Sequence, residues 1–191
     1  MQSEDVRIVC IMRRRARKHT SGTKGFYLRD ASPEELIFEL LDPEGRRTGQ
    51  IEYKEYQPDS FAKASTPWGQ ATVMTGGGYI RSGERGFLTL ILGDRAVINM
   101  TPHMLRWDFA FPNEIVIPFK MHPGRYSLSY SGDMGTVRVL QEEGETPEAG
   151  KFHQWTILVS GIAPTYEQDV VASLAVFASL ECLDFENLYG A

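Results

Sequence analysis

Six cations fall within twelve positions near the start of the chain: Arg13, Arg14, Arg15, Arg17, Lys18 and Lys24. An apolar run, VRIVCIM from Val6 to Met12, stands directly before them. Guanidinium and ammonium groups at this density can hold the anionic headgroups of a lipid leaflet, each contributing about 1 kcal/mol. They can equally contact nucleic-acid phosphates, or form a solvated basic edge that keeps the first strand from pairing with another chain. The charge balance narrows the choice. Residues 1–25 carry seven Lys or Arg against two acids, while the whole chain has a net charge of −5. A basic arm on an acidic body points to an anionic partner for the arm. The acidic body repels a long polyanion, so nucleic acid is disfavoured against a lipid headgroup or an acidic protein.

The other chemistry-bearing residues are scattered. His19, His103, His122 and His153 show neither H-x-x-x-H nor H-E-x-x-H spacing, so no metal site is expected and a satisfied or exposed imidazole is the reading for each. His103 and Asp108 are spaced so that they can meet across Met104–Trp107. No G-x-S-x-G motif occurs. Thr75-Gly76-Gly77-Gly78 is followed by no Lys-Ser/Thr and opens no helix, so a turn or bulge explains it better than a phosphate cradle. Cys10 and Cys182 make no disulfide framework and fit a reducing compartment. Cys10 beside a basic cluster is an acylation candidate, but its Ile and Val neighbours read as a buried strand. Trp68, Trp107 and Trp155, with Tyr79, Tyr126 and Tyr130, read as barrel core and rim. No catalytic residue, metal or organic cofactor is expected.

Most of the chain reads as short strands. After Val6–Met12 come Phe26–Leu28, Leu36–Leu41, Gly49–Tyr56, Phe61–Ala64, Gln70–Met74 and Tyr79–Arg81. Phe87–Leu92 and Arg95–Met100 follow, joined by Gly93-Asp94 as a two-residue hairpin turn. Trp107–Phe111, Ile115–Phe119, Arg125–Tyr130, Thr136–Leu140 and Phe152–Ser160 complete the series. Asp42-Pro43-Glu44-Gly45 has turn chemistry. Ile51, Tyr53 and Glu55 are expected on one face of their strand, opposite Gln50, Glu52 and Lys54. Gln141–Gly150, QEEGETPEAG, reads as a solvated loop.

One long helix remains, at Thr165–Leu183. Thr165 is expected as N-cap with Gln168 closing a capping box, and Glu167 and Asp169 lie at the positive end of the dipole. Val170–Leu180 carries no charge and is apolar on every side, so it must be enclosed on every side. Eleven uncharged residues are too few to cross a bilayer. About 12 strands that close on themselves create an interior for such a helix, and Ala172, Ser173, Ala175, Ala178 and Ser179 keep it slim. The expected fold is therefore mainly β: a closed antiparallel β-barrel of about 12 strands around a buried hydrophobic C-terminal helix. It forms one domain over 1–191, with 1–25 as basic strand and arm and 165–183 as central helix.

That arrangement resembles the tubby C-terminal-like superfamily, which includes the tubby, LURP-one-related and phospholipid-scramblase groups. Gln168–Ala178 is similar to the family's terminal helix, with an acidic residue leading into a small-and-aliphatic run. Phe38–Gly45 is similar to the aliphatic–Asp–x–x–Gly turn of LURP-one-like chains. The resemblance implies binding of phosphoinositide or other anionic lipid headgroups through basic side chains on the barrel. The Pro-rich extension, cysteine cluster and acidic calcium-loop segment of scramblases are absent, and the tubby Lys/Arg pair finds no residue-by-residue match. Taken with the basic run, the expectation is a non-enzymatic, cytoplasmic binding module, peripheral at the membrane, with Arg13, Arg14, Arg15, Arg17, Lys18 and Lys24 as lipid-binding residues. The alternative is a structural or protein–protein interaction domain with no small-molecule ligand.

Overall fold

The computed structural model of the chain describes residues 6–15, 36–56, 61–75, 88–122, 127–146 and 150–189. Among these, the strands are β1 (Arg7–Arg15), β2 (Ile37–Leu41), β3 (Arg47–Tyr56), β4 (Phe61–Thr66), β5 (Gly69–Thr75), β6 (Leu88–Leu92), β7 (Ala96–His103), β8 (Arg106–Phe111), β9 (Ile115–His122), β10 (Ser127–Gly132), β11 (Gly135–Thr146) and β12 (Gly150–Ser160), followed by α1 (Pro164–Tyr189). β2 to β12 form an antiparallel meander in sequence order, and β1 closes it by pairing with both β12 and β2. The sheet is a closed barrel with α1 inside, as the sequence predicts. The expected strands at Phe26–Leu28 and Tyr79–Arg81 lie outside the described residues.

Period-2 alternation builds the wall. β6 reads buried–half–buried and β7 buried–exposed over Ala96–Met100, with Leu88, Leu90, Leu92, Ala96, Ile98 and Met100 turned inward. With about 4.8 Å between strands and a tilt of about 40°, twelve strands place the wall roughly 12 Å from the axis. That is close to the layer spacing that packed side chains occupy, so one helix fits and little room is left. Every residue from Val170 to Leu180 is buried. The Phe177 ring meets Trp107 at 5.0 Å and Phe109 at 5.3 Å between centroids, both edge-on. Across the barrel, Tyr53 shares a 2.6 Å hydrogen bond with Ser179, whose hydroxyl also donates to the Val176 carbonyl at 2.7 Å. The helix hydroxyls are thus satisfied inside an apolar core.

Several local expectations are corrected. The helix starts at Pro164, not after a Thr165 cap: Ala163 supplies the carbonyl that the Glu167 amide bonds at 3.1 Å, and Pro164 takes the first helical position, where its missing N–H costs nothing. β1 runs on through Arg13, Arg14 and Arg15, because β12 offers ladder partners as far as Phe152 whatever the side chains are. For the same reason Gln141–Thr146 is strand, paired with Gly150–Trp155. A bulge between Tyr53 and Glu55 turns Tyr56 inward and leaves Glu55 half-buried, where strict alternation places Glu55 on the inner face. Gly93 opens a three-residue turn, since Leu92 pairs with Ala96.

The β2–β3 turn forms as the sequence predicts, with Gly45 at φ +81°. The Asp42 carboxylate accepts from the Arg46 amide at 2.8 Å and from its Nε at 2.6 Å, and Glu44 takes Nη2 at 2.8 Å. Partial desolvation raises the Asp42 carboxyl, but the Arg46 hydrogen bonds outweigh it and hold it below the ordinary carboxylate range. A depressed folded-state value stabilises the fold above the ordinary range, and this contribution is lost as pH falls through the depressed value. Asp42→Ala is therefore expected to lower the melting temperature at neutral pH, with the gap to the parent closing as the pH drops into the acid range. A gap independent of pH over that range contradicts the ion-pair account of this turn.

Candidate functional surface

The strand register divides the barrel into two ends. At the upper end lie Arg7, Val159 and the start of α1, with the turns Pro43–Gly45, Pro67–Trp68, Gly93–Arg95, Pro112–Glu114 and Asp133–Met134. Two ion pairs hold the first turns of the helix there: Arg7 with Glu167, and Arg95 Nη2 with Asp169 Oδ1 at 2.8 Å. At the lower end lie Arg15, Phe152 and the turn Met104–Leu105. β1 therefore carries Arg13, Arg14 and Arg15 toward the end opposite the start of the helix.

Alternation on β1 splits the arginines. Arg13 faces outward and is half-buried: Nε and Nη2 both donate to Gln154 Oε1, at 3.2 and 2.8 Å, and the guanidinium lies 4.8 Å from the Phe152 ring centroid. Two of its five N–H donors are thus committed to a neighbouring strand. Arg14 corrects the expectation that all six cations face a ligand. It is 3% exposed, on the inner face with Cys10 and Met12; its Nη1 reaches Cys182 Sγ at 3.6 Å and its guanidinium lies 5.1 Å from the Phe38 ring centroid. It ties β1 to the last turns of the helix and cannot touch a surface ligand from that position. The backbone of Arg15 pairs with Phe152. Arg17, Lys18 and Lys24 lie outside the described residues.

Sequence reasoning missed the polar lining of the lower mouth. Arg14, His153, Glu143 and Gln141 occupy inward register positions on β1, β12 and β11, above Cys182 of α1. His153 Nδ1 lies 3.4 Å from Glu143 Oε1, and its ring is 6.2 Å from Trp155. Beside this lining, a cleft of about 30 Å³ between β9–β12 and α1 is bounded by Met121, Leu128, Val139, Trp155 and Phe177, with Glu181 at its rim. A space of that size holds one water. Burial pushes the Cys10 thiol up to about 12, so it behaves as a small apolar side chain and not as a nucleophile.

His103 and Asp108 do meet, Nε2 to Oδ2 at 2.9 Å, and Arg106 Nε takes the other carboxylate oxygen at 2.8 Å. This cluster sits on the outer face beside the Met104–Leu105 turn, with the imidazole exposed. Among the described residues, no group of three or more His, Cys, Asp or Glu is placed to hold a metal ion. Among the same residues, no helix is long and apolar enough to cross a membrane. The chain matches no family model, no curated protein and no solved structure.

Proposed function

We propose that the protein is a non-enzymatic binding module that engages anionic lipid headgroups at a membrane surface through the lower end of its barrel. The observation that carries this reading is the course of β1: it runs to the lower end of a barrel whose interior is occupied by α1, with Arg13 outward on the strand and Arg15 as its last residue, and in the sequence Arg17, Lys18 and Lys24 follow. Because α1 occupies the barrel interior among the described residues, recognition is assigned to the outside. A run of cations so close in sequence suits a charged plane better than a small ligand, which needs a pocket. The resemblance to tubby-like barrels supports the same ligand class. Arg14 is not part of this set.

Each surface cation contributes about 1 kcal/mol, so replacing Arg13, Arg15 and Arg17 together by Ala is expected to weaken binding to phosphatidylserine vesicles by about 3 kcal/mol, on the order of a hundredfold. Vesicle sedimentation of the parent and of the triple variant checks this. Equal sedimentation of the two proteins, or equal binding of the parent to anionic and neutral vesicles, overturns the reading. Failure to bind vesicles together with co-purification of one stable partner supports the interaction-domain alternative instead.

A further inference from the structure

The turn joining β7 to β8 presents two consecutive large apolar side chains that contribute nothing to the core: Met104 is 93% exposed and Leu105 is 49% exposed. Single exposed apolar residues are common on protein surfaces. These two differ in being adjacent at the tip of a hairpin and in what lies around them. Arg106 and Lys120 are direct register partners on β8 and β9, both exposed, immediately behind the tip. His103 and His122 are exposed on the flanking strands, and Asp108, bonded to Arg106 and His103, is the acid of this cluster. The tip is also held in place, because the Met121 amide donates to the Leu105 carbonyl at 2.9 Å and so ties the turn to β9.

The position of the turn decides what kind of partner it fits. It lies at the lower end, the end at which β1 finishes with Arg13, Arg14 and Arg15. In the order β1-β12-β11-β10-β9-β8-β7, the hairpin is five and six strands from β1, so it stands on the opposite side of a twelve-strand barrel. The usual strand spacing and tilt put roughly 24 Å between the two. No single headgroup spans that distance, but a flat surface laid across the lower end meets both. Two apolar side chains at the extreme tip, with cations one residue behind, also match the layering of a bilayer interface, in which acyl chains lie below and phosphates above.

We infer that the Met104–Leu105 turn inserts into the interfacial zone of an anionic leaflet, with Arg106 and Lys120 at the level of the phosphates, as a second contact beside the basic run. This rests on the lipid-binding reading above and adds to it a defined insertion site and a defined orientation, with the barrel standing on its lower end.

The test uses the full chain with phosphatidylserine vesicles carrying brominated acyl chains, whose bromines quench indole fluorescence only on insertion. Met104→Trp is expected to gain fluorescence and lose it on vesicle binding. Trp107 and Trp155 are buried and Trp68 is at the upper end, so the parent protein gives the background. A companion variant, Met104→Ser with Leu105→Ser, is expected to keep the parent's melting temperature to within a few degrees, since neither side chain belongs to the core, and to bind the vesicles about tenfold more weakly. If the parent binds anionic vesicles while Met104→Trp is unquenched and the double variant binds normally, the insertion site is wrong and the lipid-binding function stands. If the parent does not bind them, the functional reading fails and the insertion site fails with it. If the double variant keeps vesicle binding but loses a co-purifying protein, the tip is a protein contact and the inference is overturned.

Discussion

Leu174→Asp is expected to yield no folded protein. Leu174 is fully buried midway along the stretch of α1 that the barrel encloses. On a surface helix a new carboxylate can reach water by a small rotation, but here Val170, Val171, Ala175, Val176 and Ala178 are buried around the whole helix circumference. Any rotation that frees one side drives another apolar side into the same wall. An isolated carboxylate in such a core takes up a proton to avoid the cost of burying its charge. Even the neutral acid, without a hydrogen-bond partner, costs roughly 2–7 kcal/mol, and the lost Leu packing adds about 2–5 kcal/mol. Domains of this size are stable by about 5–15 kcal/mol in total, so a combined cost of about 4–12 kcal/mol is comparable to all that is available. Leu174→Met, which conserves volume, should cost less than about 1.5 kcal/mol and serves as control. Size-exclusion chromatography with near-UV circular dichroism reads both. A monomeric Leu174→Asp protein with a native aromatic spectrum contradicts the enclosed-helix architecture.

Gly135→Ala is expected to destabilise the fold by about 3 kcal/mol or more, by combining strain at an unfavourable φ with a steric clash. Gly135 opens β11 at φ +100°, and a Cβ there stands 2.5 Å from the Ser160 carbonyl oxygen, 2.7 Å from the Gly161 carbonyl carbon and 2.8 Å from the Ile162 nitrogen. These atoms belong to the backbone that passes from β12 into α1, so yielding to the new methyl means moving the start of the helix. Gly45→Ala separates the two causes. Gly45 has φ +81°, and a methyl group there would meet nothing within 4 Å, so it should show the conformational part alone, about 1 kcal/mol. Urea unfolding of the two variants measures the difference. Equal destabilisation at both positions contradicts the tight passage between β12 and α1.

The architecture was legible because its signals do not depend on distant partners. A helix with no polar face demands enclosure, and α1 is enclosed. The Asp42–Gly45 turn and the alternating β3 and β7 patterns carry their own local chemistry. What escaped was everything that ladder pairing imposes from elsewhere in the sheet. Arg13–Arg15 and Gln141–Thr146 look like solvated chain, yet β12 is long enough to pair with both, and the hydrogen bonds of a ladder are indifferent to side-chain charge. The fate of Arg14 follows directly. Once β1 continues past Met12, alternation sends Arg14 inward, where the Phe38 ring and Cys182 receive it. A consistent reading of alternation beyond Met12 finds this residue.

For the candidate surface, the basic run was visible as composition, whereas its geometry was not. That Arg13 is partly engaged by Gln154 and Phe152, and that the Met104–Leu105 turn shares its end of the barrel, both follow from strand direction and register, which no local pattern encodes. The His103–Asp108 pair was within reach of spacing alone. The third member, Arg106, becomes evident only when the β7–β8 hairpin is closed in register.

On the function proposed above, the filled barrel acts through its outer surface on an anionic membrane. The most direct test of that function is the binding of the unmodified full chain to phosphatidylserine-containing and purely phosphatidylcholine vesicles as salt is raised from about 0.1 M to about 1 M, which shortens the screening length from about 10 Å to about 3 Å. The expected result is binding to the anionic vesicles alone at low salt, largely lost at high salt. Binding that ignores both headgroup charge and salt, or no binding at low salt, contradicts it.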